Sequence, residues 1–159
     1  MFRWGDTFCR FFRIIHIIFI NIGNMTKMTA KYLGALRVKC EHLPSGVKLI
    51  TDAPVDNEGK GQAFSATDLC AVSLAACILT ALGSYGETHN IDLTGMEAEI
   101  SKEMAHDPHR IGRIDVVVNM PPKNYSQKEK TVLPRVARTC AVHYSLSEQM
   151  VQNITFNWQ

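Results

Sequence analysis

Cys77 stands in the middle of "SATDLCAVSLAACILTALGSYG", the stretch from Ser65 to Gly86, and Cys140 stands in "RTCAVHYSL". A thiol attacks only as the thiolate, and burial without a positive neighbour raises its pKa. Cys77 lies about three turns into the segment, beyond useful reach of the partial positive charge at a helix N-terminus. A reactive Cys77 therefore needs a cation brought from elsewhere in the fold. It also needs a second thiol if its sulfenic acid is to be rescued from further oxidation. Taken alone, the stretch favours packing over chemistry. Cys70 and Cys77 are seven residues apart, fall on nearly one helix face, and suit a tight contact as small apolar groups.

Five cysteines occur, at 9, 40, 70, 77 and 140, with no C-x-x-C pair. A zinc ribbon and a thioredoxin-type motif both require such pairs. The size and cysteine density argue against a secreted disulfide scaffold and for reduced thiols in the cytoplasm. Cys140-Ala-Val-His143 has a C-x-x-H spacing that would supply half a metal site, but no matching pair lies nearby, so no metal is expected and His143 reads as a supporting or packing residue. A net charge of +2 offers no basic surface for nucleic acid.

The elements that must position the two thiols follow from pattern. The 159 residues, 46% hydrophobic and 20% charged, suit one globular domain. Residues 1–27 do not conform. "MFRWGDTFCRFFRIIHIIFINIGN" carries an apolar run broken by Arg13 and His16, short for a spanning helix and without a small-x-small cleavage site after it. The favoured reading is an extension from an upstream start codon, with a weak membrane anchor as the rival; no membrane association is expected. The domain then spans 28–159. "AKYLGALRVKCEH" and "VKLITDA" read as strands around the turn Pro44-Ser45-Gly46. Ser65 with Asp68 makes a capping box for a helix to about Thr88, ended by Asn90. Its many small residues predict burial against another helix or a second subunit. "LTGMEAEISKEM" and "RIGRIDVVVNM" predict two strands joined near Asp107-Pro108, with Met96, Ala98 and Ile100 facing inward. Ser126 and Glu129 form a second capping box, Pro134 predicts a kink or break, a further helical segment is expected over Thr139 to Gln152, and "ITFNWQ" closes the chain as a strand. The order predicts an α+β fold.

"SATDLCAVSLAAC", followed about sixty residues later by "CAVHYSL", resembles the OsmC/Ohr family of osmotically induced and organic-hydroperoxide-resistance proteins. That family reads P-x-x-L-L-x-A-x-x-x-C at its first cysteine and C-P-V-H-x-S-L at its second. The resemblance runs from roughly Thr29 to the C-terminus and takes in "YLGALRV", "SGVKLITDAP" and "VQNITFNW". It implies an OsmC-like intertwined homodimer, with antiparallel sheets packed on long central helices and the thiols near the subunit boundary. It further implies a thiol-dependent peroxidase: Cys77 attacks an organic or inorganic hydroperoxide, Cys140 resolves the sulfenic acid as a disulfide, and Arg37 stabilises the thiolate. The implied reductant is a dithiol such as a lipoylated protein, and no bound cofactor is needed.

Three positions depart from the family pattern. Ala66 and Ala141 replace prolines, and Thr67 stands where hydroperoxide-specialised members carry the glutamate that holds the arginine. Asp68 comes one residue late, turned about 100° around the helix. Asp68 and Glu58 are the carboxylates at hand, neither with motif support. The general OsmC-like branch fits better than Ohr proper. The rival function is a non-catalytic dimer that binds a small apolar molecule or senses through its thiols.

Overall fold

The computed structural model describes residues 25–159; the expected leader lies outside the described residues as far as Asn24. The described chain forms two compact units that meet in sequence between Thr51 and Asp52. The first carries β1 (Met28–Gly34), β2 (Arg37–His42) and β3 (Val47–Asp52), whose last residue begins the second unit. The strand order is β1-β2-β3, with β1 antiparallel to β2. The sequence pattern expected one strand or hairpin arm over 30–42, and the structure divides it at a turn through Gly34, Ala35 and Leu36. All three have positive φ, at 87°, 49° and 56°. Ala and Leu are unusual in that region, where a Cβ crowds the following carbonyl.

The second unit is built on a 24-residue helix, α1 (Ala66–His89). Its capping box forms as the sequence predicts: Ser65 Oγ accepts from the Asp68 amide at 3.1 Å, and the Asp68 carboxylate accepts from the Ser65 amide at 2.7 Å. Asn90 ends the helix in the left-handed region, φ 56°, its N–H donating to the Gly86 carbonyl. The strands β4 (Glu97–Ala105) and β5 (Arg110–Asn119) form a long antiparallel hairpin, and β6 (Val151–Asn157) lies on the other side of β5. Between β5 and β6 run α2 (Gln127–Ala137), opened by the Ser126–Glu129 capping box, and a single helical turn, α3 (Ala141–Ser145).

Two expectations are corrected here. The second sheet is not antiparallel throughout, because β6 pairs with β5 in parallel, Arg113 opposite Val151 through Asn119 opposite Asn157. The chain leaves β5 at Asn119, runs back through α2 and α3, and re-enters the sheet at the opposite end beside Arg113, as a parallel neighbour requires. The last helical segment is also shorter than Thr139–Gln152. It stops at Ser145, and a turn in which the Met150 amide donates to the Ser147 carbonyl at 3.0 Å leads into the strand. Pro134 is accommodated inside α2, which ends one turn later at Ala137. Cross-strand polar pairs lock the parallel register. Asp115 takes both Arg113 Nε and Nη2 at 2.7 Å and the opposing Asn153 amide at 2.7 Å, bonds that hold its carboxyl down at about 2.

The core lies between α1 and this sheet. Leu74, Ile78 and Leu82 from α1 meet Ile114, Val116 and Val118 from β5 and Leu133 and Ala137 from α2, all fully buried. Met96, Ala98 and Ile100 pack against this core from β4 and its approach, as the alternation predicts. Near its end α1 depends on a glycine. A Cβ on Gly86 would stand 2.6 Å from the Ile91 carbonyl oxygen and 3.1 Å from Leu93 Cδ1. The chain therefore folds back at Asn90 directly against the helix backbone. Gly86→Ala is expected to lower stability by about 1–3 kcal/mol through overpacking, despite alanine's better helix propensity. Urea melts of the two proteins check this, and an unchanged midpoint would contradict it.

Candidate active site

Cys77 sits half-buried on α1, one position before fully buried Ile78. Cys140 is buried, at the N-cap of α3, where the chain has just left α2. The turn of α3 packs on α1, and the side chains of Cys77 and Cys140 are neighbours. Both are free thiols. Burial pushes the Cys140 thiol above its usual range. The His143 amide N–H, which donates to Sγ at 3.4 Å, opposes that rise, and the neighbouring Cys77 sulfur adds to it. The two thiols thus differ in burial, and Cys77 is the more accessible sulfur. Such a pair divides labour: one sulfur can attack while the other waits with its proton.

His143 is anchored at two points by Gln152. Its Nδ1 lies 2.8 Å from Gln152 Oε1, and Gln152 Nε2 donates to the His143 carbonyl at 3.1 Å. Gln152 escaped sequence reasoning. A signal existed, because Gln152, Ile154, Phe156 and Trp158 share one alternating face of the last strand, and a polar residue in an otherwise apolar row needs a partner. The C-x-x-H spacing sets the His143 amide on the Cys140 sulfur as a helix cap. No group of three His, Cys, Asp or Glu suited to a metal occurs among the described residues.

Arg37, the third expected site residue, opens β2 in the first unit, half-buried opposite Gly34. The second unit therefore brings together two of the three expected residues, Cys77 and Cys140. Asp68 does not stand idle as a spare carboxylate: besides capping α1 it pairs with Lys102 Nζ at 3.1 Å. Burial works to raise its pKa, but the Ser65 and Lys102 bonds win and hold the carboxyl below its usual range. Thr67 turns its hydroxyl to Ser65 Oγ at 3.0 Å, and Glu58 is exposed in a left-handed conformation, φ 60°, after a short 3-10 turn. Cys70 is half-buried and packs against the core one seam along from Cys77.

These features define an α+β protein with a two-thiol centre between its long helix and the crossover of a mixed sheet. The chain belongs to the OsmC-like protein family, whose model matches residues 59–155. Among solved structures it is similar to a Psychrobacter arcticus protein assigned to osmotic stress and detoxification responses. That likeness has 39% identity and a TM-score of 0.80, covering 84% of this chain and 97% of the other. It is also similar in fold to an OsmC-like protein from Mycoplasma pneumoniae, at 15% identity and a TM-score of 0.72, over 86% and 98% of the two chains. A third likeness is to the organic hydroperoxide resistance protein OhrB of Bacillus subtilis, at 20% identity and a TM-score of 0.60, over 84% and 98%. No curated protein matches the chain. The general OsmC-like branch, expected over Ohr proper, is where the similarity lies.

Proposed function

We propose that the chain is a thiol-dependent peroxidase acting on organic or inorganic hydroperoxides. The observation that carries this reading is the adjacency of two free thiols of unequal burial, Cys77 on α1 and Cys140 at the cap of α3. The Cys77 thiolate attacks the terminal peroxide oxygen, the O–O bond breaks, and the alkoxide leaves and takes a proton as the alcohol. Cys140 then attacks the Cys77 sulfenic acid; the S–O bond breaks, the hydroxyl takes the Cys140 proton and leaves as water, and the disulfide forms. A dithiol such as a lipoylated protein returns both sulfurs to thiols. Arg37 is the proposed stabiliser of the thiolate. Organic hydroperoxide resistance proteins share this fold, which supports the substrate class. The four described cysteines are free, the form a reducing cytoplasm maintains.

The test is a thiol titration before and after one equivalent of cumene hydroperoxide. Loss of two thiols per chain is expected. No loss would favour the rival, a binding or sensing protein whose thiols only pack. The engagement of Asp68 with Ser65 and Lys102 is the observation on that side, since it removes one candidate to hold the arginine.

The working form is proposed to be a homodimer. No charged side chain occurs from Leu69 to Gly86, yet only 28% of the most apolar window of α1 is buried within the chain. Its outward hydroxyls are already bonded to its own backbone, Ser73 to the Cys70 carbonyl at 2.7 Å and Thr80 to the Ala76 carbonyl at 2.9 Å. The first sheet likewise exposes Tyr32, Leu33, Leu36, Val47 and Leu49. A second copy covering these faces accounts for both. Ala76 is exposed in the single chain, so Ala76→Leu should be harmless to a monomer. In a dimer packed through α1 it should cost about 1–3 kcal/mol, felt once in each subunit. Size-exclusion chromatography with thermal melts decides; an unchanged dimer with an unchanged melt would exclude this face as the interface.

A further inference from the structure

We infer that Gln152 is a positioning residue for Cys140: its carboxamide grips His143 at two points and thereby fixes the ring tautomer of His143 and seats its amide N–H on the Cys140 sulfur. The argument begins with a group of known polarity. The His143 carbonyl oxygen only accepts, so the end of the Gln152 carboxamide facing it at 3.1 Å is the NH2. That settles an amide orientation which is otherwise ambiguous, and it turns Oε1 toward the ring at 2.8 Å. Oε1 only accepts, so Nδ1 carries the proton, and in the neutral ring Nε2 keeps its lone pair. The same residue is thus held by backbone and by ring, and the N–H that lies between those two anchors donates to Cys140 Sγ at 3.4 Å. A buried sulfur gains most from such a donor when it is becoming an anion.

This inference rests on the proposed peroxidase reading for its purpose, namely easing loss of the Cys140 proton during disulfide closure. Its geometry and its test stand apart from peroxide. The titratable and charged groups around Cys140 are the Cys77 thiol from α1, the His143 ring on α3 itself, and Arg138 at the end of α2, whose guanidinium is turned to the Ile154 carbonyl at 3.4 Å. Gln152 reaches in from β6 without charge.

The test uses the full reduced chain. Alkylation of Cys140 by iodoacetamide is followed against pH, peptide by peptide, in the wild type and in Gln152→Leu. Loss of the seated N–H is expected to move the Cys140 profile to higher pH by about one unit. The direction is diagnostic, because simple loosening of the fold would expose a thiol now raised by burial and move its profile to lower pH. In parallel, nitrogen-15 spectra of the wild-type imidazole are expected to show a pyrrole-type Nδ1 and a pyridine-type Nε2 for His143. Gln152→Glu, which keeps an acceptor for the ring, retains that signature, whereas Gln152→Leu loses its preference. A profile that stays put or falls, or a wild-type ring protonated at Nε2, would overturn the inference. If the wild type consumes no peroxide, the peroxidase reading fails while these two measurements still judge the role of Gln152.

Discussion

Cys77→Ser is expected to abolish peroxide consumption, to the level of buffer alone. The reason is chemical and not steric. Serine replaces the sulfur with an oxygen of nearly the same shape, so the half-buried site on α1 and its neighbours Ile78 and Cys140 should keep their places. A serine hydroxyl near neutral pH, however, has neither the acidity nor the polarisable lone pair needed to attack a peroxide oxygen. Cys140 cannot take over. It is buried, and that burial holds its thiol above the usual range. Cys70→Ser serves as the control on the same helix, expected to alter stability and leave turnover intact. Peroxide consumption by the Cys77→Ser protein, followed with a ferrous dye assay, would show that another thiol is the nucleophile and remove the proposed mechanism.

Cys140→Ser should fail differently, and the difference is informative. The first step is retained, so each chain consumes one equivalent of peroxide. The Cys77 sulfenic acid then has no neighbouring thiol to condense with, and excess peroxide drives it to sulfinic and sulfonic acid. Intact mass should rise by one oxygen and then by two and three, where the wild type loses two hydrogens as the disulfide closes. Steady-state turnover with a dithiol should fall to a small residue sustained by direct reduction of the sulfenic acid. Peptide mapping of the oxidised wild type completes the experiment. A bond between Cys70 and Cys77, or none, would mean that Cys140 is only a cap for α3.

Much of this was legible before the fold was seen, and the parts that were not have physical reasons. Both capping boxes could be read because their signal is local: a hydroxyl at one position and a carboxylate three residues on satisfy each other within one turn. Cys77 and Cys140 could be named from motif, but their juxtaposition depends on α3 packing against α1, and periodicity carries no such information. The parallel setting of β6 was missed for a similar reason. Alternation shows which face of a strand turns inward, not the direction of its neighbour, and the long passage through α2 and α3 was the only clue. Asp68 looked available as a carboxylate because its partner Lys102 is distant in sequence, on β4. Arg37 lies beside three consecutive positive-φ residues, a turn whose conformation no Ala-Leu dipeptide advertises.

The crossover that places Cys140 beside Cys77 has a consequence for what oxidation does to the whole chain. The two positions are 140 − 77 = 63 residues apart, and the segment between them contains the rest of α1, the β4–β5 hairpin and α2. A bond between the sulfurs would tie off that segment as a covalent ring. In the chain-entropy description, a ring of this size restricts the unfolded ensemble by about 4 kcal/mol. The oxidised protein would then unfold at a higher temperature than the reduced one, and by thermodynamic linkage the intact fold would favour the bond over open thiols by the same amount. Reduction at the end of each cycle would accordingly return the chain to its less tightly knit form.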